Sequence, residues 1–204
     1  MQKKIISPIK KEIDEFDSEK DIDEFSVINE ISNESFSNSS IEQNNSIIIS
    51  ISKLLKLVLE ENKKINDYNQ KIISQSKMIF SSYSIPKISI YDYLIRIKNY
   101  CLIETSTLIC SLIYIDRIFE NSGIILTYYN IHRILFAAIL SSIKYNEDIF
   151  YDNKYYAEVF GVKSKELKLI EYTFIDLLDF QLFINDEQYF IYKKYLENFF
   201  EIQK

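Results

Sequence analysis

Residues 105–119, TSTLICSLIYIDRIF, are apolar on nearly every side until the last turn. A helix without a polar face has to lie at the centre of a bundle, covered by other helices. Downstream, residues 128–145, YYNIHRILFAAILSSIKY, carry the same message, with Ala137 and Ala138 in mid-helix allowing a neighbour to come close. Two glycines and two prolines in 204 residues are too few to turn the strands of a sheet protein. The chain is therefore predicted to be all-α, with short polar connections.

The surrounding segments complete the bundle. Ser89 is placed to cap a helix that runs to Tyr100. Asn121-Ser122-Gly123 ends the central helix, and Thr127 is the predicted cap of the next. A short helix over Tyr155–Val159 should stop at Gly161, and another should run from the cap Ser164 to about Asp179. The last helix is predicted to start at Asn185, with Gln188 as its capping-box partner. Upstream, Ile51, Leu54, Leu55, Val58 and Ile65 make one apolar face, and Ser84-Ile85-Pro86 breaks the chain before the bundle. Residues 73–80 either extend that upstream helix or form a short one. The polar, acidic stretch before it reads as disordered. This gives a disordered tail over 1–48, a helical extension over 49–85, a five-helix unit over 86–182 and a C-terminal helix over 183–204.

Charge narrows the function. The first 48 residues hold five basic and eleven acidic residues, so the whole net charge of −6 sits there and the rest is neutral. A neutral domain argues against nucleic acid, which calls for a basic surface. No apolar run has the roughly 18 residues of a membrane span. The N-terminus does not resemble a secretory signal, so the protein is expected in the nucleus or cytoplasm. Cys101 and Cys110 fit no zinc spacing and read as reduced core thiols. His132 is the sole histidine and belongs to no catalytic motif. No phosphate loop can be built from two glycines. No catalytic residue, metal, cofactor or small-molecule substrate is expected; the chain reads as a protein-binding protein and not an enzyme.

Two charged residues stand out in apolar surroundings. In KELKLIEYTFIDLLDF (165–180), a turn of about 100° per residue puts Glu171 between Leu178 and Ile175, inside the apolar arc. Such a carboxylate needs a partner, which an internal ion pair, a buried helix cap or a binding partner would supply. Lys144 ends LFAAILSSIK, where a cation also suits the helix dipole. Side by side, a Lys that only donates and a carboxylate that only accepts can grip foreign backbone by its C=O and N–H groups. Arg96 in DYLIRIKNY and Asp116 in IYIDRIF make a second pair, read as a buried bridge that locks their helices in register.

PKISIYDYLIRIKNY, LIYIDRI, NIHRILFAAILSSIKYNEDIFYDNKYYAEVFGV and KELKLIEYTFIDLLDFQL, in this order, resemble the box of cyclins, and among them the P-type or U-type cyclins of plants and of yeast phosphate signalling. The resemblance covers about Leu54–Leu196. It implies five helices around a central third one, flanked by extra helices. It also implies a regulatory subunit that binds and activates a cyclin-dependent protein kinase as a heterodimer. The family's kinase-contacting Lys falls on Lys144 and its Glu on Glu171, and its buried Arg and Asp fall on Arg96 and Asp116. An acidic residue that pairs with an arginine of the kinase activation loop falls on Asp148, with Glu147 as its rival. The family pattern V-G-G-[IV] departs here to Val159-Phe160-Gly161-Val162, and its preceding Lys is Glu158. Ser7-Pro8-Ile9-Lys10 fits the S-P-x-K pattern that such kinases phosphorylate. The competing reading is a cyclin-fold adaptor or scaffold for a partner that is not a kinase.

Overall fold

The computed structural model describes residues 36–66 and 79–202. Among the described residues the chain forms seven α-helices and no strand: α1 (Phe36–Asn66), α2 (Ile90–Cys101), α3 (Thr105–Ser122), α4 (Ile131–Asn146), α5 (Asn153–Phe160), α6 (Ser164–Leu177) and α7 (Asp186–Ile202). Helices α2–α6 are the five-helix box, and α1 and α7 lie outside it, in the order the sequence led us to expect. Ser7 and most of the 1–48 segment fall outside the described residues.

The centre is built from the two apolar helices. In α3 every residue from Thr107 to Phe119 is buried except Arg117, and in α4 every residue from Ile134 to Ile143 is. The two pack along their lengths, and α6 closes over α4. Outside this layer α1 lies against α7 and α2, while α5 bridges α2 and α6. Phe80, fully buried ahead of α2, meets Phe174 of α6 edge to face at 6.4 Å.

Several helix ends follow from single residues. Ser89 Oγ accepts from the Asp92 N–H at 3.0 Å and caps α2. Gly123 and Gly161 end α3 and α5 in left-handed conformation, at φ 63° and 74°, where a side chain would be strained. Asn185 Oδ1 accepts from the Gln188 N–H at 2.8 Å, as a capping box requires. The Gln188 side chain does not complete the box, because its Oε1 accepts instead from Arg117 Nη2 at 2.7 Å.

Three boundaries differ from the sequence reading. Helix α1 starts at Phe36 and not near Ser50, so residues 36–48, assigned to the tail, are helical. The composition FSNSSIEQNN is poor in apolar residues, but Ile47 and Ile48 are buried, and Ser50 Oγ donates to the Leu196 carbonyl at 2.8 Å. Packing against α7 thus overrides weak local preference. Thr127 does not cap α4 directly: its carbonyl accepts from Asn130 and Ile131 N–H in a turn, and the helix starts one turn later. Lys163, with no side-chain cap, takes the N-cap position of α6, leaving Ser164 as the first helical residue.

Candidate functional site

Lys144 lies in the last turn of α4, and Glu171 lies midway along α6. Because α4 and α6 pack together, the two side chains meet, Lys144 Nζ and Glu171 Oε1 being 2.5 Å apart. The pair is neither core nor open surface, the side chains keeping 27% and 13% exposure. An ammonium has three donors and a carboxylate about four acceptor sites. The bond between them uses one of each, so both retain capacity toward an incoming backbone. Glu171 spends a second site on Asn153, whose Nδ2 donates to Oε2 at 3.0 Å.

Exposed aromatic side chains surround this pair in sequence. Tyr145 follows Lys144 and Tyr172 follows Glu171, and both are solvent-exposed. Beyond α6, Asp179 and Phe180 both take left-handed backbone, at φ 51° and 56°, and Phe180 is left exposed. Left-handed backbone is unfavourable at a non-glycine residue. It is held here by Arg117, whose Nη1 and Nη2 donate to the Gln181 and Phe183 carbonyls at 2.6 and 2.9 Å. Tyr114 also donates to the Leu182 carbonyl at 2.7 Å. These aromatics were missed at the level of sequence, because apolar residues near a helix end read equally well as core.

The loop after α4 separates the two acidic candidates. Glu147 is occupied: its Oε1 accepts from Thr107 Oγ1 and, at 3.5 Å, from the Glu104 N–H. It thus ties the loop after α4 to the first turn of α3, whose N-cap Glu104 makes no side-chain cap bond of its own. Asp148 is exposed on the tip of the loop. The far side of the tip is fixed by the Tyr151 N–H, which donates to Tyr156 Oη at 3.1 Å. Between these anchors Ile149 is 92% exposed, an unusual placing for an aliphatic residue in a pinned loop.

Arg96 and Asp116 do not form the expected bridge. Ion pairs form at Arg133–Glu166 and Lys144–Glu171, and Arg96 is directed elsewhere. Arg96 is exposed, and its Nη2 donates to the Glu158 carbonyl at the end of α5, at 3.3 Å. Asp116 is buried, and its Oδ2 accepts from the Tyr192 hydroxyl of α7 at 2.8 Å. Burial, reinforced by the Asp116 charge and hydrogen bond, pushes the Tyr192 phenol far up, so it remains a donor. The physical reason for the difference is that α2 packs against α1 and α5, which turns the Arg96 face toward α5.

The remaining titratable residues are structural. His132 Nε2 lies 3.1 Å from the Ile88 carbonyl, and its ring meets Tyr93 edge to face at 5.1 Å. Cys101 and Cys110 are free and buried, and burial pushes their thiols to about 12 and about 11, so neither is a thiolate at neutral pH. Among the described residues no group of His, Cys, Asp and Glu could hold a metal ion, and no helix is long and apolar enough to cross a membrane.

Comparison with known proteins places the arrangement. The cyclin family model matches residues 24–182. The chain is 29% identical to Cyclin-U4-1 of Arabidopsis thaliana over 158 residues, covering 76% of this chain and 78% of that protein. It is 29% identical to PHO85 cyclin-7 of Saccharomyces cerevisiae over 176 residues, covering 77% and 62%. It is 39% identical to the PHO85 cyclin-like protein psl1 of Schizosaccharomyces pombe over 112 residues, covering 54% and 46%. The chain belongs to the cyclin family. Within that family it is a cyclin of the P/U type.

Proposed function

We propose that this cyclin is the regulatory subunit of a cyclin-dependent protein kinase and activates it by gripping the helix C region. The observation that carries the reading is the partly exposed Lys144–Glu171 pair, which keeps donors and acceptors in reserve at the junction of α4 and α6. Two of the relatives are named as a PHO85 cyclin and a PHO85 cyclin-like protein, and cyclins are regulatory subunits of cyclin-dependent kinases, which supports a kinase as the partner. A free kinase of this class holds helix C outward and its ATP-orienting Lys–Glu pair apart. Lys144 takes carbonyls and Glu171 takes N–H groups next to that helix, with Tyr145, Tyr172 and Phe180 against its apolar side. The complex favours the inward, active arrangement, so the cyclin shifts a population in its partner and does no chemistry itself. Asp148, left free by the engagement of Glu147, meets an arginine of the activation loop.

The test is recovery of kinases on a tagged full-length chain in its own cells, quantified by mass spectrometry and by protein kinase activity. The wild type recovers a cyclin-dependent kinase, and Lys144→Ala with Glu171→Ala loses it. Recovery of non-kinase partners alone, unaffected by those two changes, favours the adaptor reading.

A further inference from the structure

We propose that Asn153 is a positioning residue of the Lys144–Glu171 grip and sets the angle at which Glu171 presents its carboxylate. This rests on the functional reading above. Glu171 is approached from two sides: Lys144 Nζ of α4 holds Oε1, and Asn153 Nδ2 of α5 holds Oε2 at 3.0 Å. With one oxygen fixed from each neighbouring helix, the carboxylate plane cannot rotate freely. The acceptor sites left over then point in one direction. A carboxylate tied at Oε1 alone would swing about its terminal torsion, which is broad and nearly two-fold.

The local use of Asn153 does not account for it. Asparagine near a helix start ordinarily serves as the cap. Here Asp152 does that work, its Oδ1 accepting from the Tyr155 N–H at 2.8 Å. Asn153 is the first residue inside α5, where its amide brings no capping benefit and asparagine is a mediocre helix former. Its donor instead crosses to α6. The grip is therefore assembled from three helices, and any shift of α5 against α6 reorients Glu171. Since α5 also packs against α2, with the Tyr155 hydroxyl donating to the Tyr100 carbonyl at 2.6 Å, its own position is fixed from that side.

Asn153→Asp gives a sharp test, because the two roles predict opposite outcomes. A carboxylate in the first turn favours a helix start, so a merely structural Asn153 is replaced without loss, and the melting temperature holds or rises. A positioning Asn153 loses its donor and gains a negative charge facing Glu171. The expected result is a kept melting temperature and a loss of kinase recovery of about thirtyfold, with Asn153→Ala losing about tenfold, as for removal of one hydrogen bond to a charged group. The free protein gives a second readout, the rate of Lys144 acetylation by acetic anhydride, followed by mass spectrometry. Asn153→Asp slows it, since two carboxylates hold the ammonium; Asn153→Ala speeds it, since Glu171 is released to turn away. Equal acetylation rates in all three proteins, or full kinase recovery with Asn153→Asp, overturns the proposal. If Lys144→Ala with Glu171→Ala leaves recovery intact, the functional reading fails, and the acetylation rates still decide what Asn153 does.

Discussion

The α4–α6 junction and the α3–α7 junction each bury an acidic side chain among apolar neighbours, and they solve the problem differently. Glu171 faces a cation and an amide and keeps partial exposure. Asp116 is buried and faces the Tyr192 hydroxyl. The first arrangement leaves hydrogen-bonding capacity directed outward; the second turns it inward, toward a helix that the chain itself supplies. A charged residue on an apolar arc thus finds a partner within the chain in both cases, and its exposure decides whether hydrogen-bonding capacity is left over for another molecule.

This contrast predicts distinct failures. Replacing Lys144 and Glu171 together should cost roughly tenfold in kinase affinity for each charge-assisted hydrogen bond lost, so about a hundredfold in all, while helical content by circular dichroism stays at the wild-type level. If the double variant instead melts early and binds normally, the pair is structural and the two junctions are alike. Next in size, Tyr192→Phe takes a donor from a buried carboxylate and should lower stability by about 1–3 kcal/mol in urea unfolding of the free protein. Kinase binding measured below the unfolding transition should be unchanged. Loss of binding without loss of stability would move Asp116 into the interface.

A pH effect separates packing from the grip. Burial lowers the His132 pKa, although its bond to the Ile88 carbonyl works the other way. Its Nδ1 is buried with no hydrogen-bond partner, so an added proton there is unfavourable. The unfolded chain, with a histidine pKa of about 6.5, binds the proton more readily than the folded one. His132 therefore contributes fully above about pH 6.5, and stability falls as pH drops below that value. Melting curves between pH 8 and 5 should show this decline, and His132→Gln should flatten it. The smallest effect belongs to Arg96→Ala. Its exposed guanidinium makes one long hydrogen bond, so the change should be well under 1 kcal/mol. A loss of several kcal/mol would restore Arg96 to the core.

Much of the bundle was legible because its signals are local. TSTLICSLIYIDRIF and IHRILFAAILSSIK announce buried helices by having no polar face, and Ser89, Gly123, Gly161 and Asn185 mark ends by their own chemistry. Lys144 and Glu171 were each singled out by position, and packing of α4 on α6 brings them together. What escaped depends on residues far apart in sequence. Asp116 finds its hydroxyl in Tyr192, 76 residues on, and nothing in either segment points to the other. Asn153 looks like part of a cap, since Asp152-Asn153 is a common helix start, and only the approach of α6 reveals its other use. The early start of α1 was hidden as well: its polar first turns run into Ile47 and Ile48, whose burial composition does not register.

The hydrogen bond from Ser50 to the Leu196 carbonyl joins positions 146 residues apart. On a ribosome adding about 5–20 residues per second, Ser50 is made roughly 7 to 30 seconds before Leu196 arrives. Throughout that interval Ile47 and Ile48 lack the α7 side of their packing. The nascent chain must keep that apolar surface shielded until α7 emerges, so the α1–α7 contact closes only after the box between them has been made. Any premature stop before Tyr192 should yield a chain that is cleared by proteolysis before it can accumulate.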